Sequence, residues 1–357
     1  MLISRIKTGH KLNSSKSLSL YVIQNENHYL NFSLSSHADN HYYLLLLDNF
    51  TGLQTENLTD NFKYNELKPV NNTHKLMSNK SYLSKIICIS HFSKQLQMIL
   101  PSLLREFDEV KIVLGNDGGL QKAVAYEVKK IKAKTSVNLL IDTIMGDREK
   151  TLRSSITKII EPLLHRLRIS HYFPSVLGTS GIINKIFVAH SSNKDVLIRR
   201  GVNAKKIAIQ ESPRISWLKA LSETKANNGN ILFVAGAWEW HGRPDVEIWQ
   251  LQILQQLTSH AAKHPKGHKI KVRLHPRQFN HTTEKIDPKY ICDSKSLESA
   301  LLLADIIISF RSSALYDASL IGKDIYILES NAPVTPVNEF MQSVPRIESI
   351  EGIFDLL

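Results

Sequence analysis

Short blocks of apolar and polar positions alternate along most of the chain. From residue 85 onward the mainly apolar blocks at 86–89, 110–114, 137–141, 185–190 and 206–210 are brief and bounded by turn residues, as expected of parallel strands. The segments between them have a helical period. They are 92–107, interrupted near Pro101; 120–132, with Leu120, Val124, Val128 and Ile131 on one face; 149–168; and 191–200, opened by Ser191 and closed by Gly201. Strands alternating with helices at this spacing predict an α/β protein with a doubly wound parallel sheet. A second series begins at the apolar run 230–235. It continues through a helix at 246–257, a strand starting at Lys269 that stops at Pro276, a short helix after Ser296, and strands at 305–309 and 324–328.

Two such series predict two domains: residues 1–214, a linker at 215–229 where periodicity is lost, and residues 230–357. Residues 1–80 are the least regular. Strands are predicted at 17–23 and 41–48, and 51–80 is polar enough to predict a long loop. A length of 357 residues agrees with two cores better than one.

Composition narrows the class. With 42% hydrophobic and 22% charged residues the chain matches an ordinary globular protein. Its longest uninterrupted apolar run, 42–47, is far too short to cross a bilayer, and no apolar stretch follows Lys7, so a cytoplasmic protein is expected. Cys88 and Cys292 lie in apolar runs and predict buried, reduced thiols. The net charge of +12 admits nucleic acid, an anionic membrane surface or anionic small substrates as partners. No zinc-finger spacing, RNP-like aromatic box or helix-turn-helix is present, and the basic residues are spread rather than massed, which argues against nucleic acid. The early histidines, His10, His28, His37 and His41, are too scattered for a metal, so neither metal nor cofactor is expected.

Candidate chemistry gathers where strands end. The strand before His275-Pro276 and the strand before Phe310-Arg311-Ser312-Ser313 deliver Arg273, His275, Pro276, Arg311, Ser312 and Ser313 to C-terminal ends, the edge at which open parallel sheets bind ligands. Ser312 or Ser313 would cap the following helix, whose N-terminus favours an anion. The loop after the second domain's first strand holds Gly236, Trp238 and His241, which reads as a packed loop or as a wall of the binding cleft. In the first domain, Gly115 to Gly119 follows a strand and contains Asp117, which reads as a helix cap or as a general base, with Asp142 and Asp147 as alternatives for the same role.

Arg273-Leu274-His275-Pro276 followed by Ser312-Ser313 resembles the His-Pro and Ser-Ser motifs of bacterial GT-B glycosyltransferases that use CMP-activated sugars, the sialyltransferases and polysialyltransferases among them. Asn116-Asp117-Gly118 matches the last two positions of their acidic-acidic-Gly motif and departs from it at the first. The resemblance implies two Rossmann-like domains facing across a cleft. It further implies a CMP-sugar or other nucleotide-activated donor and a glycan or lipid-linked glycan acceptor, and with such an acceptor the excess of Lys and Arg predicts peripheral contact with the anionic inner membrane face. Asp117 would be the base, and His275 would act on the departing phosphate without metal. The same Arg-x-His-Pro and Ser-Ser pair also resembles CDP-glycerol glycerophosphotransferases, which makes a CDP-polyol phosphotransferase the alternative. A UDP-sugar epimerase or transferase is another GT-B possibility, but the Glu- and Arg-rich signatures expected of one are missing. A polyanion- or nucleic-acid-binding protein is the reading from another class.

Overall fold

A computed structural model describes residues 2–5, 17–23, 31, 41–45, 64–65, 82–145, 152–173, 176–223, 229–239, 243–275, 278, 285–294, 296–329 and 339–357. The chain divides into two compact units. One is Met1–Asp142 with Arg148–Arg214, and the other is Thr143–Asp147 with Ile215–Leu357.

The first unit is built on an eight-stranded sheet. Its strands are β1 (Leu2–Arg5), β2 (Ser17–Ile23), β3 (His41–Leu45), β4 (Tyr64–Asn65), β5 (Glu109–Leu114), β6 (Thr135–Ile141), β7 (Lys185–Val188) and β8 (Ile207–Ile209), in the order β4-β1-β3-β2-β5-β6-β7-β8. From β3 to β8 the neighbours pair in parallel, and β1 runs antiparallel to both β3 and β4. The helices are α1 (Tyr82–Leu104), α2 (Gly119–Ile131), α3 (Leu152–Arg166) and α4 (Ser191–Arg199), with α5 (Pro213–Ala220) crossing the boundary of the units.

One predicted strand is absent. Residues 86–89 belong to α1, and β2 takes the sheet position beside β5. The cause is visible further along the same helix. Ile89, Ser93, Leu96, Leu100 and Leu104 are buried at helical spacing, while Ile87 is exposed, so the apolar run is one end of an amphipathic face. Pro101 lies within this helix. Ser191 opens α4, but its N-cap is His190, whose side chain makes no capping bond. The side chain of Cys88 lies outside the described residues, and Cys292 is a half-buried free thiol. Of the predicted loop at 51–80, only Tyr64–Asn65 is described, as β4.

The second unit has a five-stranded, wholly parallel sheet of β9 (Ile231–Val234), β10 (Ile270–Arg273), β11 (Ile306–Ser309), β12 (Asp324–Leu328) and β13 (Arg346–Ile347), ordered β10-β9-β11-β12-β13. Its helices are α6 (Pro244–Lys263), α7 (Leu297–Leu302), α8 (Ala314–Leu320), α9 (Glu339–Ser343) and α10 (Glu351–Phe354). The interior strand β9 is buried on both faces. Ile231 and Phe233 pack with Ile253, Leu254 and Leu257 of α6, while Leu232 and Val234 pack with Leu301 of α7 and Leu315 of α8. That two-sided burial explains a run with no polar position. The predicted linker begins as helix: α5 extends to Ala220, and Leu218 is fully buried in the second of these clusters.

Candidate functional site

Three adjacent parallel strands, β10, β9 and β11, send their following loops to one edge of the second sheet. Gly236–Trp238 follows β9, Leu274–His275 follows β10 and Phe310–Ser313 follows β11. Phe310 fixes the last of these. Its buried ring meets Phe233 edge-on at 5.0 Å and Trp249 at 4.3 Å, so the chain turns at a fixed point just before Arg311.

The other two loops are held from behind by α6. Gln250, almost fully buried, accepts from Gly236 N–H at 2.9 Å and Trp238 Nε1–H at 3.1 Å, and donates to the Gly236 carbonyl at 2.9 Å. One helical turn earlier, Glu247 accepts from the backbone N–H groups of Trp238 at 2.8 Å and Glu239 at 3.2 Å, and its other oxygen accepts from Gln278 Nε2. Gln278 in turn accepts from His275 N–H at 3.1 Å and donates its own backbone N–H to the His275 carbonyl at 2.8 Å. Gln250 and Glu247 therefore hold the β9 loop to α6, and the Glu247–Gln278 pair ties the β10 loop to the same helix. None of the three was singled out by sequence. The available signal was Gln250, a polar residue standing in the buried stripe of Val246, Ile253, Leu254 and Leu257.

The predicted residues of this edge divide by what they touch. Arg273 donates from Nη1 to the Ser294 carbonyl at 2.7 Å and so secures the loop before α7. Trp238 packs half-buried against the core as the packed-loop reading expects. Ser313 is the N-cap residue of α8 but makes no side-chain cap bond, whereas Ser312 Oγ accepts from Ala314 N–H at 3.2 Å. Arg311 differs from all of these. Its Nε and Nη1 are buried and have no hydrogen-bond partner among the described residues. Burial depresses its pKa, with Glu329 opposing and Arg346 adding to that effect. Pro276 and His241 lie outside the described residues.

In the first unit, Asp117 follows β5 and is buried, accepting from Gly178 N–H at 3.0 Å. It caps no helix. The N-cap of α2 is Gly118, and the turn before it is held by Gln121 Oε1, which accepts from Gly115 N–H at 3.0 Å and Asn116 N–H at 3.1 Å. Gly178 has φ 86°, a left-handed conformation that favours glycine. Gly119 has no room for a side chain, since a Cβ would lie 2.9 Å from the His171 carbonyl oxygen. Burial pushes Asp117 up to about 6, against the lowering influence of Lys122 and of backbone N–H groups.

Lys122 is itself fully buried, donating to the carbonyls of Ser170 at 2.7 Å and Phe173 at 3.0 Å and to Ser170 Oγ at 3.2 Å. Its pKa is lowered by burial, which the charges of Glu161 and Asp117 oppose. Glu161, on α3, accepts from Ser170 Oγ at 2.6 Å and Ser180 Oγ at 3.2 Å. Beside them His171 is buried against the rings of Tyr126 and Tyr172, and burial holds it neutral, down to about 4. Asp142, one strand over, accepts from Asn31 Nδ2 at 2.7 Å and pairs with the fully buried Arg214 at 3.4 Å. Asp147 lies outside the described residues. Among the described residues no group of three His, Cys, Asp or Glu side chains is placed to hold a metal.

No protein-family model and no curated protein matches the sequence. Solved structures do match. The UDP-GlcNAc 2-epimerase of Neisseria meningitidis, bound to UDP-GlcNAc, superimposes with a TM-score of 0.54 at 15% identity, over 95% of this chain and 90% of that one. The Methanocaldococcus jannaschii UDP-GlcNAc 2-epimerase in complex with UDP-GlcNAc and UDP gives 0.54 at 13% identity, over 95% and 91%. The wall teichoic acid polymerase TagF, as its H444N variant, gives 0.53 at 10% identity, over 95% and 78%. At such identities the likeness establishes the fold: two Rossmann-like α/β units of the GT-B class.

Proposed function

We propose that the chain is an inverting glycosyltransferase of bacterial surface polysaccharide (capsule, lipooligosaccharide or O-antigen). It would transfer a sialic-acid-like or Kdo-type sugar from a CMP-activated donor to the hydroxyl of a glycan or lipid-linked glycan. The observation that carries the reading is Arg311. Two buried guanidinium nitrogens that have no acceptor among the described residues leave their N–H groups available to the oxygens of a phosphate, through charge-assisted bonds. They sit beside Ser312 and Ser313, on the edge that also receives His275. Same-fold proteins named for their complexes with UDP-GlcNAc support a nucleotide-activated donor in general.

In this mechanism His275 and Arg311 offset the charge that develops on the departing nucleotide phosphate. Arg273, Pro276, Ser312 and Ser313 complete the nucleotide side, and Gly236, Trp238 and His241 form a wall. Asp117 takes the proton of the acceptor hydroxyl. A carboxyl raised to about 6 is ionised at neutral pH yet more basic than an exposed one, which suits a general base. Turnover is expected to survive a chelator, since cationic side chains and N–H donors perform the work assigned elsewhere to a metal.

The TagF likeness favours a second reading, transfer of a polyol phosphate from a CDP-polyol. Melting the protein with CMP, CDP and UDP in turn, then identifying the product formed from the matching donor, tests both. Stabilisation by CMP with sugar transfer supports the first reading, and CDP-polyol consumption supports the second. Indifference to every nucleotide, together with steeply salt-dependent DNA binding, would replace both with a polyanion-binding protein.

A further inference from the structure

We propose that α3 is a membrane-docking helix: its outward apolar stripe enters the interface of an anionic lipid surface, and the arginines at its C-terminal end meet the headgroups. A helix on a globular unit ordinarily turns its apolar stripe inward. α3 turns Leu164 and Glu161 inward, while Ile156, Ile159, Ile160, Leu163 and Leu167, which recur at helical spacing, are all exposed, Ile159 by 78%. The only acid in α3 is the buried Glu161, whereas Arg166 and Arg168 are exposed.

Arg168 adds an independent sign. It has φ 59° where the helix closes, Arg168 N–H donating to the His165 carbonyl and Ile169 N–H to that of Leu164, both at 3.0 Å. Glycine is the ordinary occupant of that left-handed position, so here a guanidinium stands where the backbone disfavours it. Lys129 and Lys206, half-buried and bonded to the carbonyls of Ile182 and Ile183, lie near His165; after burial their charges lower its pKa against the opposing charge of Glu161. An apolar stripe that ends at the exposed Arg166 and Arg168, and carries no exposed acid among the described residues of its helix, is complementary to anionic lipid. A second copy fits less well, because a two-fold pairing of this patch with itself would bring the same cations face to face.

The inference does not rest on the transferase reading, and its test needs neither donor nor acceptor. The full chain is sedimented with vesicles of phosphatidylcholine alone and of phosphatidylcholine mixed with phosphatidylglycerol. Binding is expected to the mixed vesicles and to weaken as salt rises. Ile159→Ser combined with Leu163→Ser should lower that affinity by roughly tenfold or more without lowering Tm, since both side chains are exposed. Arg166→Ser with Arg168→Gly should remove mainly the salt-sensitive part of binding. Failure of the parent to bind mixed vesicles at low salt, or serine variants that bind as tightly as the parent, would overturn the proposal. So would a parent dimer that the serine variants convert to monomer, which would assign the stripe to self-association.

Discussion

The turn after β5 and the edge formed by β9, β10 and β11 both place polar residues at the C-terminal ends of parallel strands, yet they use them differently. After β5, Asp117, Lys122 and Glu161 are buried and joined to Gly178, Ser170, Phe173 and Ser180, so these side chains bind one segment of the unit to another. At the other edge the binding together is done by Gln250, Glu247 and Gln278 from beneath. Arg311 there keeps buried donors without an acceptor among the described residues. Where a separate set of residues carries most of the packing, a strand-end side chain such as Arg311 retains hydrogen-bonding capacity for a ligand. Where the same residues must do both, each substitution affects stability and chemistry together.

Asp117→Asn probes the contrast with the largest expected effect. Asn keeps an acceptor for Gly178 N–H but cannot take a proton. If Asp117 is the base, turnover falls by roughly two to four powers of ten while folding and nucleotide binding persist. Near-parental turnover would leave Asp117 purely structural, and Asp142→Asn and Asp147→Asn would then be the variants to assay.

The second test reads the same cluster through pH. Between pH 4 and 6 the unfolded chain has lost the Asp117 proton and the folded chain has kept it, so this group makes stability fall as pH rises. His171 acts in the opposite sense. Its folded pKa of about 4 lies below the ordinary 6.5, so the unfolded chain binds the extra proton and stability rises with pH across the same window. Each contribution is about 3 kcal/mol at full extent, and in the parent they largely cancel. Chemical unfolding at several pH values should therefore give Asp117→Asn a stability that rises from pH 4 to 6, and His171→Phe one that falls. Parallel profiles for parent and both variants would mean that neither group is held as its burial implies.

The side chains that join these clusters were also poorly legible in the sequence. β9 and β11 announced themselves because strands buried on both faces are nearly continuous apolar runs, and β5, β6 and β12 because short, mostly apolar runs alternate with helices. Residues 86–89 show the limit of that rule: four apolar residues have no measurable period, and only Leu96, Leu100 and Leu104 downstream reveal the helix. The edge residues Arg273, His275 and Arg311 were legible because strand ends follow from strand positions. Lys122, Glu161, Gln250 and Gln278 were not, because each has a partner nine or more residues away, Glu247 in the case of Gln278, and long polar side chains ordinarily face water.

A third test, smaller in effect, takes the contrast to the other edge. Arg311→Met removes buried donors that have no acceptor among the described residues, so the empty protein should melt at the parental temperature or slightly above it. The shift produced by the cognate nucleotide should shrink, with affinity lower by roughly tenfold to a hundredfold, the worth of a charge-assisted bond or two. A variant that melts well below the parent and binds nucleotide normally would place Arg311 with Lys122, as part of the packing.

The smallest effect belongs to the serine pair, and it separates the two uses of a polar side chain within two adjacent residues. Ser312 Oγ accepts from Ala314 N–H, so Ser312→Ala should lower stability by about 0.5–1 kcal/mol, as loss of a cap contact does. Ser313 is exposed and makes no cap bond, so Ser313→Ala should leave stability unchanged. If the pair contacts the donor phosphate, both single variants weaken nucleotide binding to a similar degree despite their unequal effects on Tm. Should affinity instead track Tm, falling for Ser312→Ala alone, the motif acts only through the start of α8. The phosphate would then be left to Arg311 and His275.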